Sequence, residues 1–141
     1  MNDLGYAGDK TPEESWAMLS EISGAVLVDV RTDAEWAFVG TPDLGSLGKN
    51  LCLAAWIVYP NMTGNADFVA TVQNHAPDTD AHILFICRSG QRSIAAAIAM
   101  TNAGYSNCYN VLEGFEGDMD AQDHRGTIGG WKVAGLPWAQ R

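Results

Sequence analysis

Eight consecutive residues, Ile86-Cys87-Arg88-Ser89-Gly90-Gln91-Arg92-Ser93, gather a thiol, two guanidinium groups, two hydroxyls and a glycine. Cys87 closes an apolar run, His82 to Cys87, that reads as a buried strand. A helix is expected a few residues later, over Ile94 to Met100. In open parallel sheets ligands bind where strands end. A short loop containing Gly90 can turn successive backbone N–H groups to one centre and form an anion nest. The following helix adds the partial positive charge of its N-terminus. Arg88 and Arg92 add two of the chain's eight cations. All of these terms favour a thiolate over a thiol. The spacing therefore predicts a nucleophile and an anion site in one loop: Cys87 as the attacking group, with Arg88, Ser89, Gly90, Gln91, Arg92 and Ser93 around its substrate.

The other two cysteines lie in apolar, strand-like runs, and Cys52 and Cys108 are expected to be core fillers. His75 and His82 show no metal-ligand spacing with the cysteines. Trp36, Trp56 and Trp131 are expected in the core, with Trp56 the one to consider as a pocket wall. Arg31 and Glu35, four residues apart, are expected to form a local ion pair.

The elements that must hold the loop follow from periodicity. Thr11-Pro12-Glu13-Glu14 is a helix start, with Trp16, Leu19 and Ile22 facing inward and Gly24 as the stop. Ala25 to Val30 reads as a buried strand, and Thr32 or Asp33 caps a helix to about Val39. Asn50 to Ala55 suggests another strand, Tyr59-Pro60-Asn61 a turn, and Asn65 the cap of a helix reaching His75. Asn107 to Leu112 is a further strand. The tail from Gly114 to Trp138 holds seven Gly or Pro residues and predicts loops plus one short helix near Trp131. Such alternation implies βαβ units, a mostly parallel sheet and helices on both faces.

Composition narrows the partners. The chain has 141 residues, a formal net charge of −9 and 47% hydrophobic residues, which suits one domain spanning 1–141. An acidic balance argues against nucleic acid and anionic membranes. The N-terminus has no basic region and no apolar run, and three cysteines suit no disulfide framework. A cytoplasmic, reduced setting is expected.

Cys87-Arg88-Ser89-Gly90-Gln91-Arg92 resembles the active-site loop of the rhodanese (sulfurtransferase) family: a Cys, a basic second residue, Gly in the fourth place, and a helix following. Leu27-Val28-Asp29-Val30-Arg31 with Glu35-Trp36 is similar to the family's strand-and-helix signature. Gly129-Gly130-Trp131 through Gly135-Leu136-Pro137 is similar to its C-terminal ending, and Pro12-Glu13-Glu14 to the opening of its first helix. The matches run from about residue 12 to 138. Two segments depart from the pattern: Gly40-Thr41-Pro42-Asp43-Leu44 with the stretch to Gly64, and the loop from Phe115 to Arg125, whose His124 and Arg125 could approach the active loop or remain solvated.

The resemblance implies a three-layer rhodanese-like α/β fold with about five strands. It also implies transfer of a sulfane sulfur through a Cys87 persulfide. The donor would be a small anion such as thiosulfate, or a sulfur-relay protein; the acceptor would be a thiol or cyanide. No metal and no organic cofactor is implied. A cysteine phosphatase or arsenate reductase is the rival enzyme reading, but four residues separate Cys87 from Arg92 where such loops place five. A non-catalytic or carrier module of the same family is the rival from another class.

Overall fold

Two threonines start the first two helices by the same device. Thr11 accepts from the Glu14 amide while the Glu14 carboxylate accepts from the Thr11 amide; Thr32 and Glu35 repeat this reciprocal capping. A computed structural model of the protein describes residues 4–58 and 63–140. In chain order the elements are β1 (Gly8–Lys10), α1 (Pro12–Glu21), β2 (Val26–Asp29), α2 (Asp33–Phe38), β3 (Thr41–Pro42), β4 (Cys52–Leu53), β5 (Ile57–Val58), β6 (Thr63–Gly64), α3 (Phe68–His75), β7 (Ile83–Ile86), α4 (Gln91–Asn102), β8 (Cys108–Val111) and β9 (Trp138–Ala139).

Five strands form one parallel sheet in the order β1-β8-β7-β2-β4. The central strand β7 is buried at all four positions, as its unbroken apolar sequence requires. Its side chains alternate between two cores. Ile83 and Phe85 pack with Phe68 and Val72 of α3 and with Ala96, Ala97 and Met100 of α4. Leu84 and Ile86 pack with Leu19 of α1, Phe115 and Trp131. The result is the three-layer α/β fold, with helices on both faces of a five-stranded sheet.

Several local expectations are corrected. The strand expected over Asn50–Ala55 shrinks to Cys52–Leu53. The helix expected to begin after Asn65 begins at Phe68. Asn65 instead braces the loop before it, accepting from the Asp67 amide and donating to the Ala55 carbonyl. No helix forms near Trp131 among the described residues. Residues 131–135 are turns closed by bonds such as Ala134 N to Gly130 O, and the tail ends in β9, antiparallel to β3. The short glycine-punctuated spacing leaves no room for the successive i to i−4 bonds of a helix. The turn expected at Tyr59-Pro60-Asn61 lies outside the described residues. Strand β1 is an addition: Gly8-Asp9-Lys10 has no apolar pattern because it pairs only at the sheet edge.

The tail binds the sheet through glycines. Gly114 has φ +64°, and a Cβ there would stand 2.5 Å from the Cys87 carbonyl oxygen and 2.6 Å from that of Arg88. Gly104 also has a positive φ, +108°, but open space around it. Gly104→Ala should therefore cost only backbone strain, about 1–3 kcal/mol. Gly114→Ala should add about 1–3 kcal/mol of overpacking to such strain, and urea unfolding midpoints should rank the two variants in that order.

Candidate active site

Cys87 follows directly on β7, and the segment after β8 seizes its backbone. Phe115 N donates to the Cys87 carbonyl at 2.8 Å, and the amides of Glu116 and Gly117 donate to the Arg88 carbonyl at 3.0 and 3.2 Å. Gly90 N–H donates to Cys87 Sγ at 3.0 Å, and Ser93 Oγ lies 3.2 Å from the same sulfur. Gly90 reaches this orientation at φ +127°, a conformation that side-chain-bearing residues avoid. It is also the cap position of α4, where no side chain bonds the first-turn amides. The positive end of α4 is thus open toward the sulfur. Cys87 itself is 1% exposed.

The charges pair differently from expectation. Arg31 does not bond Glu35. Its guanidinium grips Asp29, with Nη2 2.7 Å from Oδ2, and donates to the Gly40 carbonyl. Both members of this pair are fully buried. Arg31 Nη1 has no hydrogen-bond partner, but the guanidinium stacks 4.3 Å from the Phe115 ring centre, whose π face takes that place. Glu35 instead binds Arg92 with two bonds, 2.7 and 3.0 Å. The sequence separation of four misleads because Thr32 caps α2 between the two residues and Val30–Arg31 still follow the strand. Arg92 is thereby held beside α2. Arg88 is exposed, and its side chain has no hydrogen bond or ion pair among the described residues.

Ser89 is half-buried and Gln91 exposed at the loop's rim, and Gly90 and Ser93 are buried beneath it. Ser93 Oγ continues inward to Asn110 Oδ1 at 2.6 Å, and Asn110 Nδ2 reaches Asp9 Oδ1 at 3.0 Å. Asn110 and Asp9 were not anticipated. The available signal was a lone amide inside the apolar strand Cys108–Val111, since a buried polar group demands partners.

Cys52 and Cys108 are buried in the core, and burial pushes both thiols up to about 11. Trp56 is half-buried and packs on that core, edge-on to Phe68 at 5.1 Å. His124 and Arg125 stay within their own loop, the first bonding Asp120 and the second the Gly117 carbonyl. Two clefts of about 370 and 380 Å³ open around Gly24, Val26 and His75, away from Cys87. They carry no thiol. Among the described residues no group of three or more His, Cys, Asp or Glu is gathered to hold a metal, and no helix is long and apolar enough to cross a membrane.

Burial alone would raise the Glu35 carboxyl. Bonds from Arg92 and from the Thr32 backbone, with the charge of Arg92, outweigh it and bring it from 4.5 down to about 2. A depressed carboxyl stabilises the fold above its unfolded value and loses that contribution as pH falls through the folded one. Stability conferred by Glu35 is therefore expected to be whole above about pH 4.5 and lost toward pH 2. Glu35→Gln should flatten the slope of urea-unfolding free energy against pH across that window.

The sequence profile described as Rhodanese-like domain matches residues 11–121. An uncharacterized protein of Rickettsia rickettsii, the RP600 homolog, is 42% identical over 125 residues, covering 89% of this chain and 91% of that protein. The crystal structure of Rv0390 from M. tuberculosis superposes with a TM-score of 0.88 at 49% identity, over 96% of this chain and 99% of that one. The crystal structure of thiosulfate sulfurtransferase from Pseudomonas aeruginosa superposes at 0.59 with 25% identity, over 95% of this chain and 20% of that one. With its sheet order, its loop and these likenesses together, the chain belongs to the rhodanese-like domain family.

Proposed function

We propose that residues 1–141 act as one rhodanese-like domain and that it is a sulfurtransferase working through a persulfide on Cys87. The observation that carries this reading is the sulfur at the open N-terminus of α4, 3.0 Å from the Gly90 amide. Inward amides there would stabilise a thiolate, and then the terminal sulfur of a persulfide anion, where charge develops. Similarity to a thiosulfate sulfurtransferase supports the same chemistry.

The Cys87 thiolate attacks the outer sulfur of a thiosulfate-like donor. A new S–S bond forms as the donor's bond to that sulfur breaks, and sulfite leaves with the bonding electrons. A thiolate or cyanide then attacks the outer sulfur, and the electron pair returns to Cys87. This is double-displacement covalent catalysis. The amides of Ser89, Gly90, Gln91, Arg92 and Ser93 would line the cradle. Arg88, exposed and unpaired among the described residues, would meet the donor's anionic oxygens, while Arg92 holds the start of α4 against Glu35. A phosphatase reading fares worse, because the guanidinium that would grip phosphate is already occupied by that carboxylate.

Thiosulfate treatment should add one sulfur, about 32 Da, to the protein by intact mass, and Cys87→Ser should abolish the adduct. An adduct that survives this substitution would sink the assignment. Arg88→Ala should raise KM for thiosulfate about tenfold with kcat little changed, the mark of lost anion binding. Loading by a cysteine desulfurase but not by thiosulfate would identify a sulfur carrier instead.

A further inference from the structure

Behind the candidate nucleophile runs a chain of hydrogen bonds, buried at Ser93 and part-buried at Asp9, whose donor directions are determined by its far end. Asp9 lies on β1, directly across from Asn110 of β8. Asp9 Oδ1 accepts from Tyr6 at 2.8 Å and from Asn110 Nδ2 at 3.0 Å. A carboxylate can only accept, so the Asn110 amide must turn its nitrogen to Asp9 and its oxygen to Ser93. That oxygen, 2.6 Å from Ser93 Oγ, must in turn receive the hydroxyl proton. The second oxygen near Ser93 Oγ, the Gly90 carbonyl at 3.1 Å, is also an acceptor. Ser93 has a single proton and two acceptors already waiting for it.

The consequence falls on Cys87, 3.2 Å away. With its proton committed inward, Ser93 shows the sulfur only lone pairs. It can accept from a thiol, but it cannot donate to a thiolate without breaking its shorter bond to Asn110. We propose that Asp9 and Asn110 are positioning residues that commit the Ser93 proton away from Cys87, so that the chain opposes ionisation of the sulfur while the Gly90 amide and α4 favour it. Other charged groups around the sulfur are Arg88 in the loop, Arg92 of α4 with its partner Glu35 of α2, the Asp29–Arg31 pair closing β2, and Glu116 in the segment behind. None of them bonds the Ser93 hydroxyl. The inference rests on Cys87 being the reactive sulfur of the proposed function, but it concerns that sulfur's protonation and not the donor it uses.

Iodoacetamide alkylation of Cys87, followed peptide by peptide by mass spectrometry from pH 5 to 10, tests it without any sulfur donor. The buried Cys52 and Cys108 serve as slow references in the same digest. Asn110→Leu removes the shorter of the two bonds that hold the Ser93 proton, and Asp9→Ala frees Asn110 to turn away from it, so that only the longer bond to the Gly90 carbonyl competes with the sulfur for that proton. Each should displace the alkylation midpoint downward by about one pH unit, roughly tenfold in rate below it, with the same plateau rate at high pH. In a Ser93→Ala background Asp9→Ala should change nothing, because the relay is already cut. An unmoved or raised midpoint would overturn the proposal. So would a raised plateau, which reports looser access, and so would an equal Asp9→Ala shift without Ser93, which reports charge acting through space. Asp9 is exposed on an edge strand, so its variant decides the matter even if Asn110→Leu fails to fold. Loss of persulfide formation with the shift intact would reject sulfur transfer and leave the relay standing.

Discussion

Three backbone bonds, from the amides of Phe115, Glu116 and Gly117 to the carbonyls of Cys87 and Arg88, are the constraint on which the site depends. A peptide loop has as many acceptors as donors, and a cradle for an anion needs the acceptors turned away. Residues following β8 remove two of them. This is only feasible because Gly114 allows its backbone to lie against residues 87 and 88. Trp131, fully buried, then locks the same segment from beneath: its amide donates to the Gly114 carbonyl and its indole to that of Pro137. The C-terminal tail, which contributes no side chain at the sulfur among the bonds described, is nonetheless what shapes the loop around it.

Electrostatics at the loop follow a division of labour between the arginines. Arg31 is spent inside the protein, joining the end of β2 to the turn at Gly40. For a buried pair of this kind desolvation offsets most of the attraction, so its net contribution to stability is small. Arg92 ties α2 to α4 at a half-buried pair. Of these three, Arg88 is the exposed one. An acidic protein can therefore present one local cationic rim without building a basic surface.

Much of this was legible from residue types. The apolar run at β7, the capping threonines and the Gly-bearing loop after Cys87 each have a local physical cause, and each appears where its cause lies. Cys52 and Cys108 were readable as core because each lies within a strand-like run and neither heads a basic, glycine-bearing loop as Cys87 does. The Arg31–Glu35 expectation failed because spacing of four implies contact only within a helix, and Thr32 interrupts it. In the tail the glycines mark turns, as expected, but no helix forms near Trp131 among the described residues, and that residue is pinned by long-range burial instead.

By itself the sequence determined the alternation of strands and helices, the parallel α/β class and the loop that carries the thiol, because these arise from periodicity, capping and chain direction within a few residues. What only the tertiary structure decided is which distant groups meet there. Asp9 and Asn110 are 101 residues apart and become neighbours through strand pairing at the sheet edge; Glu35 and Arg92 are 57 apart and meet because the first turns of α2 and α4 lie beside one another. Such pairings depend on strand order and register, which are global properties of the packed sheet. No local pattern of residues encodes them.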